Sequence, residues 1–319
     1  MEAEAEVNPA RAVELTVCIV SWNTCDDLRQ ALTSVFDREG EAVFEVIVVD
    51  NASADGSAEM VRRQFPRAEL IVNRVNRGFA AANNQALRRA RGPYRLLLNS
   101  DAVAHPGAFA HLVRFMDDHP AAAAVGLRVL NPDATLQYSC RRFPTIAAGL
   151  FRKVPLGRLI PDNRWNREYL MSDWAHDAPR EVDWVSGAAM CIRAEALAQV
   201  GLLDEAYYMY CEDVDWCYRA RQAGWKIYYL PQAVVTHAIG RSSDQRPLRM
   251  VAEFHRSMLR FWRKNYAART APLLRPLVPL GIWLRAAIVL AENVFTAARN
   301  LGYRITRGRR RGVAADERR

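Results

Sequence analysis

The sequence predicts an α/β fold, a mostly parallel sheet with helices on both faces. Three observations lead there. Short runs rich in Val, Ile and Leu alternate with segments whose apolar residues recur at helical spacing, the pattern of βαβ units. The runs are apolar throughout rather than at every second position, as in strands covered on both faces. Successive runs end in polar residues, and a parallel sheet gathers such ends at one rim, where these sheets bind ligands.

Residues 15–20 form the first predicted strand, and residues 26–36 a helix with Leu28, Ala31, Leu32, Val35 and Phe36 on one face. Residues 44–49 are the second strand. It ends at Asp50-Asn51-Ala52-Ser53, and Asp55-Gly56-Ser57 starts the next helix. Residues 70–72 are a third strand, 78–91 an Ala-rich helix closed by Gly92-Pro93, and 94–98 a fourth strand. Residues 106–118 are helical and 122–130 a strand. From 135 to 182 the pattern loosens around Arg141-Arg142-Phe143-Pro144, Trp165 and Trp174, as in a binding loop or lid. Strands follow at 182–185 and 188–192, a helix at 212–222, then strands at 226–230 and 234–237. Residues 250–266 form an amphipathic helix. The polar strand ends are Ser21-Trp22-Asn23, Asp50-Asn51, Asn76-Arg77-Gly78 and Asn99-Ser100-Asp101. Neither GxGxxG after the first strand nor GxxxxGK occurs, which argues against a dinucleotide fold or a P-loop.

The chain has 319 residues, half of them apolar, enough to bury a full core. Its net charge of +9 is unevenly placed. Residues 241–319 carry 18 Lys and Arg against 5 Asp and Glu, a net +13, so residues 1–240 sum to −4. This argues against a nucleic-acid groove across the main domain and gives the C-terminal region an anionic partner. Within that region the apolar residues 272–295 are interrupted by Arg275, Arg285 and Glu292 and followed by Arg304, Arg307, Arg309, Arg310 and Arg311. That pattern reads as an interfacial anchor on anionic lipid rather than a spanning helix; a docking helix or oligomer contact beside a solvated basic tail is the alternative. The predicted organisation is a disordered N-terminus (1–13), a catalytic domain (14–240) and a helical, basic, membrane-associating region (241–319). The six cysteines form no CxxC pair. Cys211, Cys217 and His237 are a conceivable zinc set, but buried structural thiols are the better reading. The first eleven residues lack the basic and apolar regions of a signal peptide, so a reduced, cytoplasmic setting is expected.

Two acidic clusters carry the chemistry. Asn99-Ser100-Asp101 follows a buried strand, where a carboxylate can hold a divalent cation against a diphosphate. Glu212-Asp213 opens a helix, where a carboxylate can take a proton from an attacking hydroxyl. Together they are the two needs of an enzyme that moves a sugar off a nucleotide. Taken singly, Asp101 also suits a helix N-cap, and Glu212, Asp213 and Asp215 suit first-turn acids complementing a helix dipole. His237 also suits a core histidine, Trp184 a core aromatic, and Arg77 a surface ion pair.

In their order along the chain, Val20-Ser21-Trp22-Asn23, Val49-Asp50-Asn51-Ala52-Ser53-Ala54-Asp55-Gly56-Ser57, Asn76-Arg77-Gly78-Phe79-Ala80, Leu98-Asn99-Ser100-Asp101, Ser186-Gly187-Ala188 and Glu212-Asp213-Val214-Asp215 resemble the inverting glycosyltransferases of family 2, with the GT-A fold. The resemblance spans about residues 14–265 and is strongest to the bacterial rhamnosyltransferase branch. It implies transfer of L-rhamnose from a dTDP donor to a lipid-linked glycan at the inner face of the cell membrane, with Mg²⁺ or Mn²⁺. A UDP-hexose donor, a noncatalytic membrane-bound nucleotide-sugar-binding protein and a sugar nucleotidyltransferase are the competing readings. Carried over by residue, Asp50 and Asn51 lie at the nucleotide base, flanked by Ser21, Trp22 and Asn23. Asn76, Arg77 and Gly78 lie near the ribose or diphosphate. Asn99, Ser100 and Asp101 occupy the DxD positions, and His237 completes the metal site. Asp213 is the catalytic base with Glu212 beside it, and Trp184, Ser186 and Gly187 face the acceptor. One departure stands out. The first DxD acid is Asn99, which offers a carbonyl oxygen but no charge. A QxxRW signature after the Glu-Asp pair is absent, which favours single addition over polymerisation.

Overall fold

The computed structural model describes residues 12–145, 163–238, 245 and 247–293. Its first half follows the predicted alternation: β1 (Leu15–Ser21), α1 (Cys25–Phe36), β2 (Phe44–Asp50), α2 (Ser57–Gln64), β3 (Glu69–Val72), α3 (Phe79–Arg89) and β4 (Tyr94–Asn99). The four strands lie in the order β3-β2-β1-β4, all parallel. Leu15, Val17, Cys18 and Ile19 of β1 are fully buried, divided between two apolar clusters on opposite faces of the sheet. An all-apolar strand is stable only when both of its faces are covered in this way.

Beyond β4 the sheet turns mixed. The later elements are β5 (Ala102–Ala104), α4 (Ala108–Asp118), β6 (Ala122–Leu130), β7 (Leu136–Gln137), β8 (Cys140–Arg141), α5 (Arg164–Leu170), β9 (Arg180–Val182), β10 (Trp184–Val185), β11 (Ala189–Arg193), α6 (Ala194–Val200), α7 (Glu212–Gln222), β12 (Lys226–His237) and α8 (Pro247–Asn265). The order continues β4-β11-β6-β12-β5. β11 runs antiparallel to both β4 and β6, while β12 is parallel to β6 and antiparallel to β5. β11 enters from the turn at residues 186–188, not from a crossover helix, so it runs back down the sheet. Composition does not encode that direction, because a fully buried strand reads the same either way.

The two strands predicted at 226–230 and 234–237 are one, β12, with a register shift between Leu230 and Val234. Pro231 lies within the shift and has no N–H for the ladder. The loosely patterned segment contains α5, capped by the Asn163 side chain accepting from the Asn166 N–H at 2.9 Å. The remainder of the expected lid at 146–162, residues 1–11 of the N-terminus, and Arg304 to Arg311 lie outside the described residues.

α8 packs on the α/β body. Phe261 is buried in the same cluster as Trp216 and Tyr218, and Ser257 Oγ donates to the Met209 carbonyl at 2.9 Å. α8 thus shares a core with the α/β body. After α8, the 22-residue helix Pro272–Asn293 is long and apolar enough to cross a membrane. Ile282 packs on Leu259 and Trp262, while Leu273, Leu277, Leu280, Trp283 and Leu284 are exposed.

Strand register positions the site. Ser21 pairs with Asp50 and Val20 with Asn99, so the polar ends of β1, β2 and β4 are level at one rim. His237 ends β12 opposite Ala102, one residue from Asp101.

Candidate active site

At the β4–β12 edge, Asn99, Asp101 and His237 converge. His237 Nε2 is 3.1 Å from Asp101 Oδ1 and 3.1 Å from Asn99 Nδ2. The His237 and Asp101 side chains are only 9% and 8% exposed, so what they bind is held mostly out of water. The other ring nitrogen, Nδ1, is 2.8 Å from Gln137 Oε1. With its proton on Nδ1, the neutral ring turns a lone pair toward a carboxylate oxygen. A cation placed between that lone pair and the carboxylate oxygen would be held by both. A rotation of the Asn99 carboxamide would add a third acceptor, an amide oxygen. This donor set, carboxylate and amide oxygens with one imidazole, suits a divalent ion such as Mg²⁺ or Mn²⁺. Among the described residues no three His, Cys, Asp or Glu side chains cluster, so Asn99 is needed to complete the set. The conceivable zinc set is not assembled either. Cys217 is buried, with burial pushing its thiol up, and all six cysteines are free.

The second cluster sits at the start of α7. Tyr210 and Cys211, just before it, have φ of 71° and 65°, the left-handed region that ordinary side chains avoid. This kink turns Glu212 and Asp213 in toward the rim. Asp213 Oδ2 accepts from the Gly187 N–H at 2.9 Å and Oδ1 from the Val214 N–H at 2.8 Å. Burial raises the Asp213 carboxyl above its ordinary range, outweighing those two hydrogen bonds and the attraction of Arg141. Glu212 is 5% exposed, and its Oε2 is buried with no hydrogen-bond partner. Burial, then the neighbouring Asp213 charge, pushes it well up. Asp215 differs. It is fully buried and bonded to Arg219 at 2.9 Å, Lys264 at 2.9 Å, Asn265 at 3.2 Å and Tyr207 at 3.3 Å, which ties α7 to α8. Of the three acids, Asp215 is the one paired with cationic side chains within the protein.

The turn at residues 186–188 joins the clusters. The Asn99 N–H donates to the Ala188 carbonyl at 3.0 Å, and the next residue back, Gly187, holds Asp213. A Cβ on Gly187 would stand 3.2 Å from the Phe79 ring and 3.8 Å from Asp213 Cβ, so any side chain there would crowd the turn. Both predicted acid clusters thus lie on the same rim, linked by two hydrogen bonds through one turn.

On the β1–β2 side, most predicted donor contacts prove to be internal. Asn51 gives its amide protons to Asn76 Oδ1 at 2.9 Å and the Gly78 carbonyl at 3.2 Å. Its Oδ1 accepts from Asn73 at 3.1 Å and the Arg77 N–H at 3.0 Å. No valence is left for a nucleotide, which corrects that assignment to a loop-organising role shared with Asn76 Oδ1. Ser21, Thr24 and Ser100 form a buried hydroxyl chain with links of 3.0 and 2.9 Å, so Ser21 and Ser100 brace the rim from beneath. Asn23, at φ 52°, joins two loops: its Oδ1 accepts from the Ala54 N–H at 2.8 Å. Gly78 serves a close approach, not of phosphate but of protein: at φ 84° its Cβ would lie 2.4 Å from the Tyr208 carbonyl oxygen. Trp22 is half-buried and Arg77 partly exposed, its guanidinium 4.0 Å from Glu205. Asp50 is the exception. It is 2% exposed, Oδ2 accepts from the Ser53 N–H at 3.2 Å, and Oδ1 has no partner.

Trp184 is packed in the core and does not offer an open face to an acceptor. It is 4% exposed, its indole N–H donates to the Arg142 carbonyl at 2.8 Å, and the Arg141 guanidinium lies 5.0 Å over its ring. Ser186 is half-buried, and its N–H donates to the Ser139 carbonyl at 2.7 Å. Two residues of the site carry no assigned role in the sequence reading. Arg141 is visible there only as part of a basic-aromatic run, and Gln137 has no signal beyond its place in the loosened segment.

The Glycosyl transferase family 2 profile matches residues 16–174. Residues 16–174 belong to this family. The chain is 29% identical over 291 residues to the N-acetylglucosaminyl-diphospho-decaprenol L-rhamnosyltransferase of Mycobacterium tuberculosis, covering 88% of this chain and 94% of that one. To rhamnosyltransferase WbbL of Escherichia coli it is 27% identical over 229 residues, 69% of this chain and 82% of the relative. Among solved structures, the mannosyltransferase PcManGT from Pyrobaculum calidifontis, in complex with GDP-Man and Mn²⁺, aligns with a TM-score of 0.54 at 18% identity, over 91% of this chain and 82% of that one. GalNAc-T7 with UDP, GalNAc and Mn²⁺ aligns with a TM-score of 0.57 at 15% identity, over 80% of this chain and 48% of that one. The fold is GT-A-like and the protein is a glycosyltransferase.

Proposed function

We propose that this glycosyltransferase moves L-rhamnose from dTDP-rhamnose to a lipid-linked glycan, with inversion, in cell-surface polysaccharide synthesis at the cytoplasmic face of the membrane. The observation that carries the reading is one rim that holds two buried oxygens without a partner, Asp50 Oδ1 and Glu212 Oε2, and the pair Asp101 Oδ1 and His237 Nε2 facing each other at 3.1 Å. Buried acceptors without donors are rare in folded proteins and mark places where a ligand supplies the missing partner. The two relatives named for rhamnosyl transfer, one on a decaprenol diphosphate carrier, support the choice of sugar and acceptor.

In this reading Asp50 Oδ1 accepts the ring N–H that thymine and uracil share. Asp101, His237 and Asn99 hold Mg²⁺ or Mn²⁺; when bound, the ion supplies positive charge and Lewis acidity for the departing nucleoside diphosphate. Asp213 takes the proton of the attacking hydroxyl. Its raised pKa makes it a stronger base, and the Gly187 N–H holds its carboxylate in place. Glu212, its carboxyl raised by burial, presents the unpartnered Oε2 to an acceptor hydroxyl and orients it. A single displacement inverts the anomeric centre. The exposed leucines and Trp283 of the helix Pro272–Asn293 enter the bilayer, and the basic C-terminal region meets anionic headgroups.

Thermal-shift screening of nucleotide sugars with Mn²⁺ and with Mg²⁺, followed by transfer assays on a polyprenyl-diphosphate-linked acceptor, tests the proposal. Stabilisation specific to dTDP-rhamnose, with rhamnose transferred, is the expected result. Preference for a UDP-hexose overturns the donor, and nucleotide binding without turnover overturns the catalytic reading. Flotation with anionic vesicles should carry the protein, and Leu277→Glu with Leu280→Glu should release it.

A further inference from the structure

We propose that Asp133, Thr135, Asn131 and Gln137 form a polarised hydrogen-bond relay that fixes the tautomer of His237 and so keeps its Nε2 free to hold a cation; this rests on the metal site proposed above. The relay is continuous. Thr135 Oγ1 is 2.6 Å from Asp133 Oδ1, and Asn131 Nδ2 is 2.9 Å from Thr135 Oγ1. Gln137 Nε2 is 2.9 Å from Asn131 Oδ1, and Gln137 Oε1 is 2.8 Å from His237 Nδ1.

The direction of each link follows from the first. An ionised carboxylate only accepts, so the single hydroxyl proton of Thr135 goes to Asp133. The same hydroxyl and the Thr135 N–H hold the Asp133 carboxyl below its ordinary range, which keeps it ionised. Thr135 Oγ1 must then accept from Asn131. Asn131 therefore turns its NH₂ to Thr135 and its carbonyl to Gln137. Gln137 in turn gives its NH₂ to Asn131, with a longer contact to the His237 carbonyl at 3.4 Å, and its carbonyl to the ring. The ring proton is held on Nδ1, and the Nε2 lone pair faces Asp101 and Asn99. Reversing any one link would set donor against donor or acceptor against acceptor. Partners of this kind, one shell out from a metal ligand, orient it and raise its basicity. The relay runs from the β6–β7 turn, where Thr135 is exposed, to the half-buried Gln137 beside the site. These residues act through His237 and are positioning residues, not catalytic ones.

Long-range ¹H–¹⁵N spectra of the full chain labelled with ¹⁵N-histidine, with His237→Gln assigning the resonance, read the tautomer. Titration with Mn²⁺ alone, followed by the electron paramagnetic resonance of the free ion, reads affinity. The wild type should show Nδ1-protonated His237. Gln137→Leu should move the ring toward the Nε2-protonated form and weaken Mn²⁺ binding about 10–100-fold. Thr135→Val, at an exposed position where folding is not at stake, should act in the same direction by a smaller factor. Gln137→Glu, which keeps an acceptor against Nδ1, should retain the tautomer. An Nε2-protonated wild-type ring overturns the relay, as does Mn²⁺ affinity unchanged in both Gln137→Leu and Thr135→Val. Asp101→Ala separates the two levels. Should it abolish Mn²⁺ binding while the relay variants do nothing, the relay alone fails; should it leave Mn²⁺ binding intact, the metal site fails and takes the relay with it.

Discussion

Asp50 and Asn51 are neighbours in sequence, equally buried and nearly the same size, yet one is saturated within the protein and the other is not. Asn51 uses both amide protons and its carbonyl oxygen internally, whereas Asp50 keeps a buried oxygen without a donor. The start of α7 repeats the contrast. Asp215 is surrounded by Arg219, Lys264, Asn265 and Tyr207, while Glu212, one helical turn earlier, keeps a buried oxygen that no protein group reaches. Polar groups that the chain satisfies itself are architecture. Two that it buries without a donor, Asp50 Oδ1 and Glu212 Oε2, are where the proposed ligands complete the site.

Substitutions that exchange the two kinds of residue test this division. The largest effect belongs to Asp213→Asn, which should lower turnover by roughly 10²–10⁴-fold with melting temperature nearly unchanged, as read by steady-state kinetics beside thermal melts. The wild-type acidic limb of activity against pH should also lie above the ordinary Asp range, because burial raises this carboxyl. Asp215→Ala should do the reverse. Removing it strands Arg219 and Lys264 around a buried gap, at a cost of about 3–5 kcal/mol in denaturant unfolding. Asn51→Ala should cost about 1–3 kcal/mol, while Asp50→Ala, which loses only the bond from the Ser53 N–H, should cost less and abolish the thermal shift given by nucleotide. Gly78→Ala, forced into a positive φ and against the Tyr208 carbonyl, should cost about 1–3 kcal/mol.

The smallest effect is a pH-dependent gain. Glu212 has its pKa raised in the folded state, so the fold is progressively destabilised as pH rises from the ordinary Glu value toward the raised one. Glu212→Gln removes that dependence. It should therefore raise the melting temperature near neutral pH, and the advantage should vanish as pH falls to about 4. A variant equally stabilised at both pH values would show that Glu212 is not held protonated by burial.

The apolar runs and their polar ends were legible because a buried parallel strand and a rim residue each have a local signature. Asp101, Asp213 and His237 could be picked out from their positions and the order of the motifs around them, and the structure brings Asp101 and His237 to 3.1 Å. The assignments of direct ligand contacts were less legible. Asn51, Gly78 and Trp184 carry the right residue types, but their partners (Asn73 and Asn76, Tyr208, Arg142) come from other segments, and no spacing announces them. Gln137 was invisible for the same reason: its meaning comes from His237, a hundred residues on.

Hydrophobic pattern by itself determined that β1, β2 and β4 are buried and that their polar ends share a rim, since a strand with apolar residues on both faces has nowhere else to go. Tertiary structure decided the direction of β11, the structural fate of Asp215 and which buried acceptors go without a protein donor. Burial and hydrogen-bond saturation are properties of a site assembled from distant segments, and no single segment contains them.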